Sequence, residues 1–119
     1  MANCKIVELV PVAKNRVSYS HKANVAFYPD GVTVLYSYST AVCEIDKNGN
    51  FKRTWDGWSA TTSNHVKDFL LTFTENGRGI GKQEWLDMPV YRSSYPYLPF
   101  TPRYKVTYPL GFNADKLYW

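Results

Sequence analysis

Between residues 24 and 55 the chain alternates short apolar runs with turn residues, and from about residue 60 the apolar spacing becomes that of a helix. Residues 4–10 are a short β-type run that stops at Pro11. Residues 13–22 are polar and basic and read as a loop or an edge strand. A second strand covers residues 24–28, followed by the turn Pro29-Asp30-Gly31, where Pro sets φ and Gly takes positive φ. Residues 32–38 alternate at period two, with Val32, Val34, Tyr36 and Tyr38 on one side and Thr33, Leu35 and Ser37 on the other. The Val and Tyr side is the expected core face. Residues 41–46 form the next strand, with Ala41, Cys43 and Ile45 sharing a face. Asn48-Gly49 is a strong hairpin signal, and residues 51–55 return from it.

Beyond Trp58, the hydroxyls of Ser59 and Thr61 are the expected helix caps. Val66, Phe69, Leu70 and Phe73 follow at i, i+3, i+4 and i+7, one face of a helix over about 60–74 that Asn76-Gly77 ends. Residues 77–82 connect to a short helical turn over 83–88, stopped by Pro89, with Trp85 expected in the core. Residues 90–119 mix aromatic residues with Pro96, Pro99, Pro102 and Pro109, a density that rules out a helix or a central strand. Residues 103–108 are the one strand candidate there. The expected fold is α+β: one domain over 1–119, an antiparallel meander, one main helix with a short second one packed on it, and an irregular aromatic C-terminal segment.

Length sets few further limits, since 119 residues suffice for a core without disulfides or metals. The two cysteines, Cys4 and Cys43, have no zinc spacing, and no apolar run approaches the roughly 20 residues of a membrane span. An intracellular, cytoplasmic protein with reduced thiols, no cofactor and no metal is therefore expected. Net charge is +4, mildly basic, which permits contact with nucleic acid or an acidic protein and compels neither. Aromatic residues make up 17% of the chain, and tyrosine is half of them, suiting strands and interfaces alike.

Three groups of residues could carry chemistry. Thr61, His65, Asp68 and Thr72 fall beside the apolar helix stripe and read as a polar edge; His65 and Asp68 are close enough to bond, but no Ser or Cys nucleophile stands next to them in sequence. The stretch from Gly77 to Lys82 lacks the Walker spacing of a phosphate loop. Tyr91, Arg92, Tyr95, Tyr97, Arg103 and Lys105 interleave rings with cations, the composition of interface anchors, of single-strand binders, or of a segment clamped onto a sheet.

The run Leu35-Tyr36-Ser37-Tyr38-Ser39-Thr40-Ala41-Val42, followed by Trp58-Ser59-Ala60-Thr61-Thr62-Ser63-Asn64-His65, resembles a pattern in short uncharacterised proteins of bacteriophages and mobile elements. The resemblance implies a non-enzymatic phage accessory protein that blocks a host protein, such as a CRISPR-type defence nuclease. The expected partner-binding residues are Tyr91, Arg92, Tyr95, Tyr97, Arg103 and Lys105 with Thr61 and His65. The alternative is a nucleic-acid-binding module that adds Lys52, Arg53, Arg78 and Lys82. A homodimer remains open in either reading.

Overall fold

A computed structural model describes residues 4–9, 22–74 and 77–98 and the backbone of residues 103–104. Six strands form one sheet: β1 (Lys5–Glu8), β2 (Ala23–Phe27), β3 (Thr33–Ser37), β4 (Thr40–Ile45), β5 (Phe51–Arg53) and β6 (Arg103–Tyr104). Their order is β5-β4-β3-β2-β1-β6, so the first five make an antiparallel meander and β6 joins β1 in parallel. Two helices follow β5, α1 (Ala60–Phe73) and α2 (Lys82–Asp87). The architecture is α+β, as the alternating pattern and the single helical stripe predict.

The turns form where their chemistry is explicit. Gly31 (φ 94°) and Gly49 (φ 87°) occupy the left-handed conformation that side chains disfavour. Asp46 stabilises the second turn through its carboxylate, which accepts from the backbone N–H groups of Asn48 and Asn50, each at 2.9 Å. At the start of α1 the Ser59 hydroxyl accepts from the Thr62 N–H at 3.1 Å, so Ser59 is the cap. The helix closes at Thr74, whose N–H and hydroxyl both donate to the Leu70 carbonyl. The helix thus ends within the expected span of about 60–74. Gly77 passes so close to Leu70 that a Cβ there would overlap its carbonyl.

Both faces of the sheet are covered, which corrects the expectation of a single core face. Leu35, Cys43, Val25 and Phe27 meet Val66, Phe69 and Leu70 of α1 on one face, with Trp85 of α2. Val34 and Tyr36 lie on the opposite face with Ile6, Ala26 and Tyr28. The side of β3 assigned to the core is thus buried, but the helix packs on the other. Each fully buried aliphatic or aromatic side chain contributes about 1.5–3 kcal/mol, so two packed faces explain how a short sheet holds together.

A β-bulge corrects the register of β4. Leu35 pairs with Cys43, but Tyr36 pairs with Ala41, leaving Val42 as the extra residue. Val42 therefore joins Cys43 on the helix side, and Ala41 turns to the other face. Strict alternation had put Ala41 and Cys43 together.

The second face is covered by residues 90–98, which cross it as a strap. Val90 bridges Arg53 beside β5, Ser93 and Ser94 reach Glu44 in β4, and Tyr95 lies over Tyr28 and Tyr36. Leu98 then packs onto the same cluster, and β6 closes the far edge.

Candidate interaction surface

Three polar fastenings decide which side chains remain at the surface. The first is Glu44, a buried carboxylate in β4 on the strap side of the sheet. It accepts from the Ser94 N–H (3.0 Å), the Ser94 hydroxyl (2.9 Å) and the Ser93 hydroxyl (3.2 Å). A buried carboxylate needs such donors, because leaving it bare in an apolar layer is costly.

Tyrosines make the second fastening. Tyr36 donates to the Tyr95 carbonyl at 2.6 Å, so the single proton shared between Tyr28 and Tyr36 (2.7 Å) belongs to Tyr28. The Tyr95 ring stacks on Tyr28 at 3.6 Å between centroids, and its hydroxyl donates to Asp30 at 2.6 Å. Burial pushes the Tyr28 phenol up to about 12 and raises Tyr36 further. The bond to Asp30 raises Tyr95. All three phenols are held in their neutral, donating form.

Arg53 is the third. It is buried, and its guanidinium donates to backbone carbonyls: Nε to Trp55 (2.8 Å), Nη1 to Trp85 (2.9 Å), Met88 (3.0 Å) and Leu86 (3.4 Å). Three of those carbonyls end α2, where the helix leaves acceptors unsatisfied and its dipole favours a cation. The Trp85 ring lies 5.0 Å from the guanidinium carbon. The Arg53 carbonyl in turn accepts the Tyr91 N–H at 2.8 Å.

Between α1 and α2, the rings of Trp55, Trp58 and Trp85 face the hydroxyls of Ser59 and Ser63 across a cleft of about 220 Å³, counting the solvent at its mouth. Most of that volume is open solvent, and the enclosed space holds little more than one water, so this is a packed joint. Trp85 Nε1 donates to the Gly57 carbonyl at 2.7 Å and locks it.

The expected site residues separate sharply. His65 is buried and does not form an accessible edge: its Nδ1 is 2.9 Å from the Ser37 hydroxyl, which also bonds the Thr62 hydroxyl at 3.0 Å. Asp68 and Thr72 are buried with it, because α1 lies flat on the sheet and sinks a wider arc than its apolar stripe. Thr61 alone of that face is exposed. Sequence reading missed Ser37 as the hydroxyl neighbour of His65. The two are 28 positions apart, and only the strand-to-helix packing joins them.

Of the aromatic and basic set, Tyr95 is spent on the clamp. Tyr97 is 84% exposed, Tyr91 46%, and Arg92 is also at the surface. Arg103 falls in β6, where the backbone alone is described, and Lys105 lies outside the described residues. The cations expected to meet nucleic acid are engaged within the fold. Arg53 is buried as above, and its burial corrects its assignment to a surface. Arg78 bonds both carboxylate oxygens of Glu84, at 2.9 and 2.6 Å. Lys82 sits 5.0 Å from the Trp58 ring centroid, and Lys52 is 3.4 Å from Asp46 and 5.4 Å from the Tyr91 ring centroid.

One exposed aromatic was not expected as an anchor. Tyr38 opens the two-residue turn between β3 and β4 with φ 60°, the one non-glycine positive φ among the described residues. Its ring is 52% exposed and tilted over His65 at 6.2 Å. Tyr97 is bridged to Thr40, the residue that closes this turn, so the two most exposed tyrosines share one end of the sheet.

The described residues define a two-helix α+β domain whose second sheet face is strapped, with tyrosines left out at a hairpin end. Among them no group of acidic, His and Cys side chains is placed to hold a metal, and no helix is long and apolar enough to cross a membrane. The chain belongs to DUF8033, a family of unknown function whose model matches residues 7–88. That match runs from the second half of β1 through α2 and stops before the strap. No curated protein and no solved structure matches the chain.

Proposed function

We propose that this protein is a non-enzymatic binding module that grips a protein partner through the hairpin end marked by Tyr38 and Tyr97 and acts by covering the partner's working surface. The observation that carries this is the division of labour among the tyrosines. Tyr28, Tyr36 and Tyr95 are sunk in hydrogen bonds and stacking, whereas Tyr38 and Tyr97 return little burial to the fold. Tyr38 also holds a backbone conformation that costs a non-glycine residue on the order of 1–2 kcal/mol. Exposed, fixed aromatic rings are the usual anchors of protein interfaces.

Two observations weigh against the other classes. Ser37 and His65 form a hydroxyl–imidazole pair, but both are buried between the sheet and α1, where a substrate carbonyl has no approach to the Ser37 hydroxyl; the pair reads as a polar contact that fastens β3 to α1. Of the cations expected to meet phosphate, Arg53 is buried and committed to backbone carbonyls, which removes the central member of that set.

In its finer form the proposal is a phage-type accessory protein in the cytoplasm of a bacterial host, blocking a defence nuclease as anti-CRISPR proteins do. The resemblance of the Leu35-to-Val42 and Trp58-to-His65 runs supports that form. The test is affinity capture from host lysate with and without nuclease treatment, followed by mass spectrometry. A stoichiometric protein retained after nuclease and released by Tyr97→Ala supports the proposal. Loss of every partner on nuclease treatment overturns it in favour of nucleic acid.

A further inference from the structure

We propose that residues 93–98 are a latch: the stretch opens as one unit while the sheet and α1 stay folded, and its closure is what seats Tyr97 at the hairpin end. None of residues 89–98 is buried, although Val34, Tyr36 and Glu44 on the face beneath them are. Tyr95 and Leu98 supply the apolar contact of the stretch with that face. The other described fastenings are polar. Three consecutive hydroxyls donate to two carboxylates of the meander, Ser93 and Ser94 to Glu44 and Tyr95 to Asp30, and the Tyr95 carbonyl accepts from Tyr36. A segment with so little buried apolar surface belongs to the low end of local stability and opens well below the free energy of global unfolding. The helix side of the sheet differs in kind, since Leu35 and Cys43 meet Val66 and Phe69 there and all four are buried.

Glu44 is what makes the stretch openable. Among the described residues, every donor to its carboxylate comes from Ser93 or Ser94. Closing the latch takes that charge out of water, and opening it lets water replace the three donors and rehydrate the carboxylate. An apolar side chain in the same place would be exposed by opening and would hold the stretch shut. The start of the strap stays anchored, because the Tyr91 N–H donates to the Arg53 carbonyl and Val90 bridges Arg53, so the exposed Arg92 is the hinge. Closure sets Tyr97 against Thr40, at the same end as Tyr38, and opening carries it away. The latch thereby governs whether the two rings stand together. That consequence rests on the proposed function, whereas the opening itself does not.

Amide hydrogen exchange of the full chain without any partner, read residue by residue by NMR, tests the latch. The Ser94 amide, held by Glu44 at 3.0 Å, is expected to be protected relative to a free peptide, yet to exchange about a hundredfold or more faster than the amides of β2, β3 and α1. Tyr95→Phe removes the bond to Asp30 and leaves Glu44 and its donors in place. If the stretch opens as one unit, that exposed bond contributes to holding Ser94, and its loss speeds exchange at the Ser94 amide about fivefold. The amides of β2, β3 and α1 keep their wild-type rates, which also shows that the variant is folded. A Ser94 amide as slow as those of β2 and β3, one that exchanges at the free-peptide rate, a Tyr95→Phe variant that leaves Ser94 unchanged, or one that speeds α1 equally would each overturn the proposal. With no partner in the sample, a failed search for a binding protein leaves this result standing.

Discussion

Arg53→Met should damage this protein far more than the loss of a surface charge. The guanidinium donates four hydrogen bonds to backbone carbonyls and approaches no acceptor that could be dispensed with: Trp55, Trp85 and Met88 lie at 2.8–3.0 Å and Leu86 at 3.4 Å. Methionine keeps most of the volume and the apolar stem, so packing on Trp85 largely survives. What is lost is the donor set. A hydrogen bond to a charged group is worth about 1.5–3 kcal/mol, and a buried carbonyl left without a partner costs about 1–3 kcal/mol. The four bonds share one side chain and do not add, and the outer carbonyls can reach water, so a net loss of about 3 kcal/mol is expected. For a domain of this size that lowers the melting temperature by roughly 10 °C. Urea unfolding gives the free energy. Hydrogen exchange at the Tyr91 amide, which bonds the Arg53 carbonyl, reports whether the strap loosens at its start. Arg53→Lys keeps the charge but not the fork, and should fall between wild type and Met. An Arg53→Met variant within about 1 kcal/mol of wild type would refute the view that this residue organises the segment from α2 to the strap.

Other perturbations follow from the same structure. At Tyr38, the variant Tyr38→Gly should unfold at higher urea than Tyr38→Ala, reversing the usual order, because φ is 60° there; Ala at or above Gly would remove the strain argument. Phe69→Ala should cost about 3–5 kcal/mol in urea unfolding, since Phe69 is fully buried between α1 and the sheet. Alkali should unfold the protein through Tyr28 and Tyr36. Their folded-state values are raised, so their contribution is intact below about pH 10, the unfolded value, and drains away as pH rises toward about 12. Phenolate absorbance and circular dichroism should change together there; titration of both phenols at pH 10 with the fold intact would contradict the clamp. In acid, Asp46 has a lowered value from its bonds to the Asn50 and Asn48 N–H groups, so its contribution is present above the ordinary carboxylate range and is lost as pH falls through and below it. Asp46→Asn should remove that part of the acid dependence.

How far the sequence led depended on whether a feature was local. Strand and turn positions from residue 24 to 55 were legible because Gly31 and Gly49 and the alternation around Leu35 act within a few residues. The α1 stripe and its Ser59 cap were legible for the same reason. The bulge at Val42 was not, because one unpaired residue leaves no mark in a pattern that reads equally well without it. The second covered face was not either. Val34 and Tyr36 looked like a core face, and Leu35 and Ser37 like its opposite, since nothing local says that residues 90–98 return to bury the far side. His65 and Arg53 were assigned to the surface by their polarity. Their burial depends on Ser37 and on the carbonyls closing α2, partners 28 and 32–35 positions away. Tyr38 was hidden for a different reason: a tyrosine at the head of a two-residue turn is not what turn chemistry prefers.

The central claim is that Tyr38 and Tyr97 are kept outside the core to hold another protein, and it meets its most direct test in a titration. With the captured partner purified, calorimetric titration of wild type, Tyr97→Ala and Tyr38→Gly across a range of salt concentrations reads both anchors and the nature of the contact. The account predicts that each variant weakens binding about tenfold or more, as loss of an interface anchor does, while added salt changes the wild-type affinity little. Wild-type affinity for both variants, or an affinity that collapses with salt as phosphate contacts require, would contradict it.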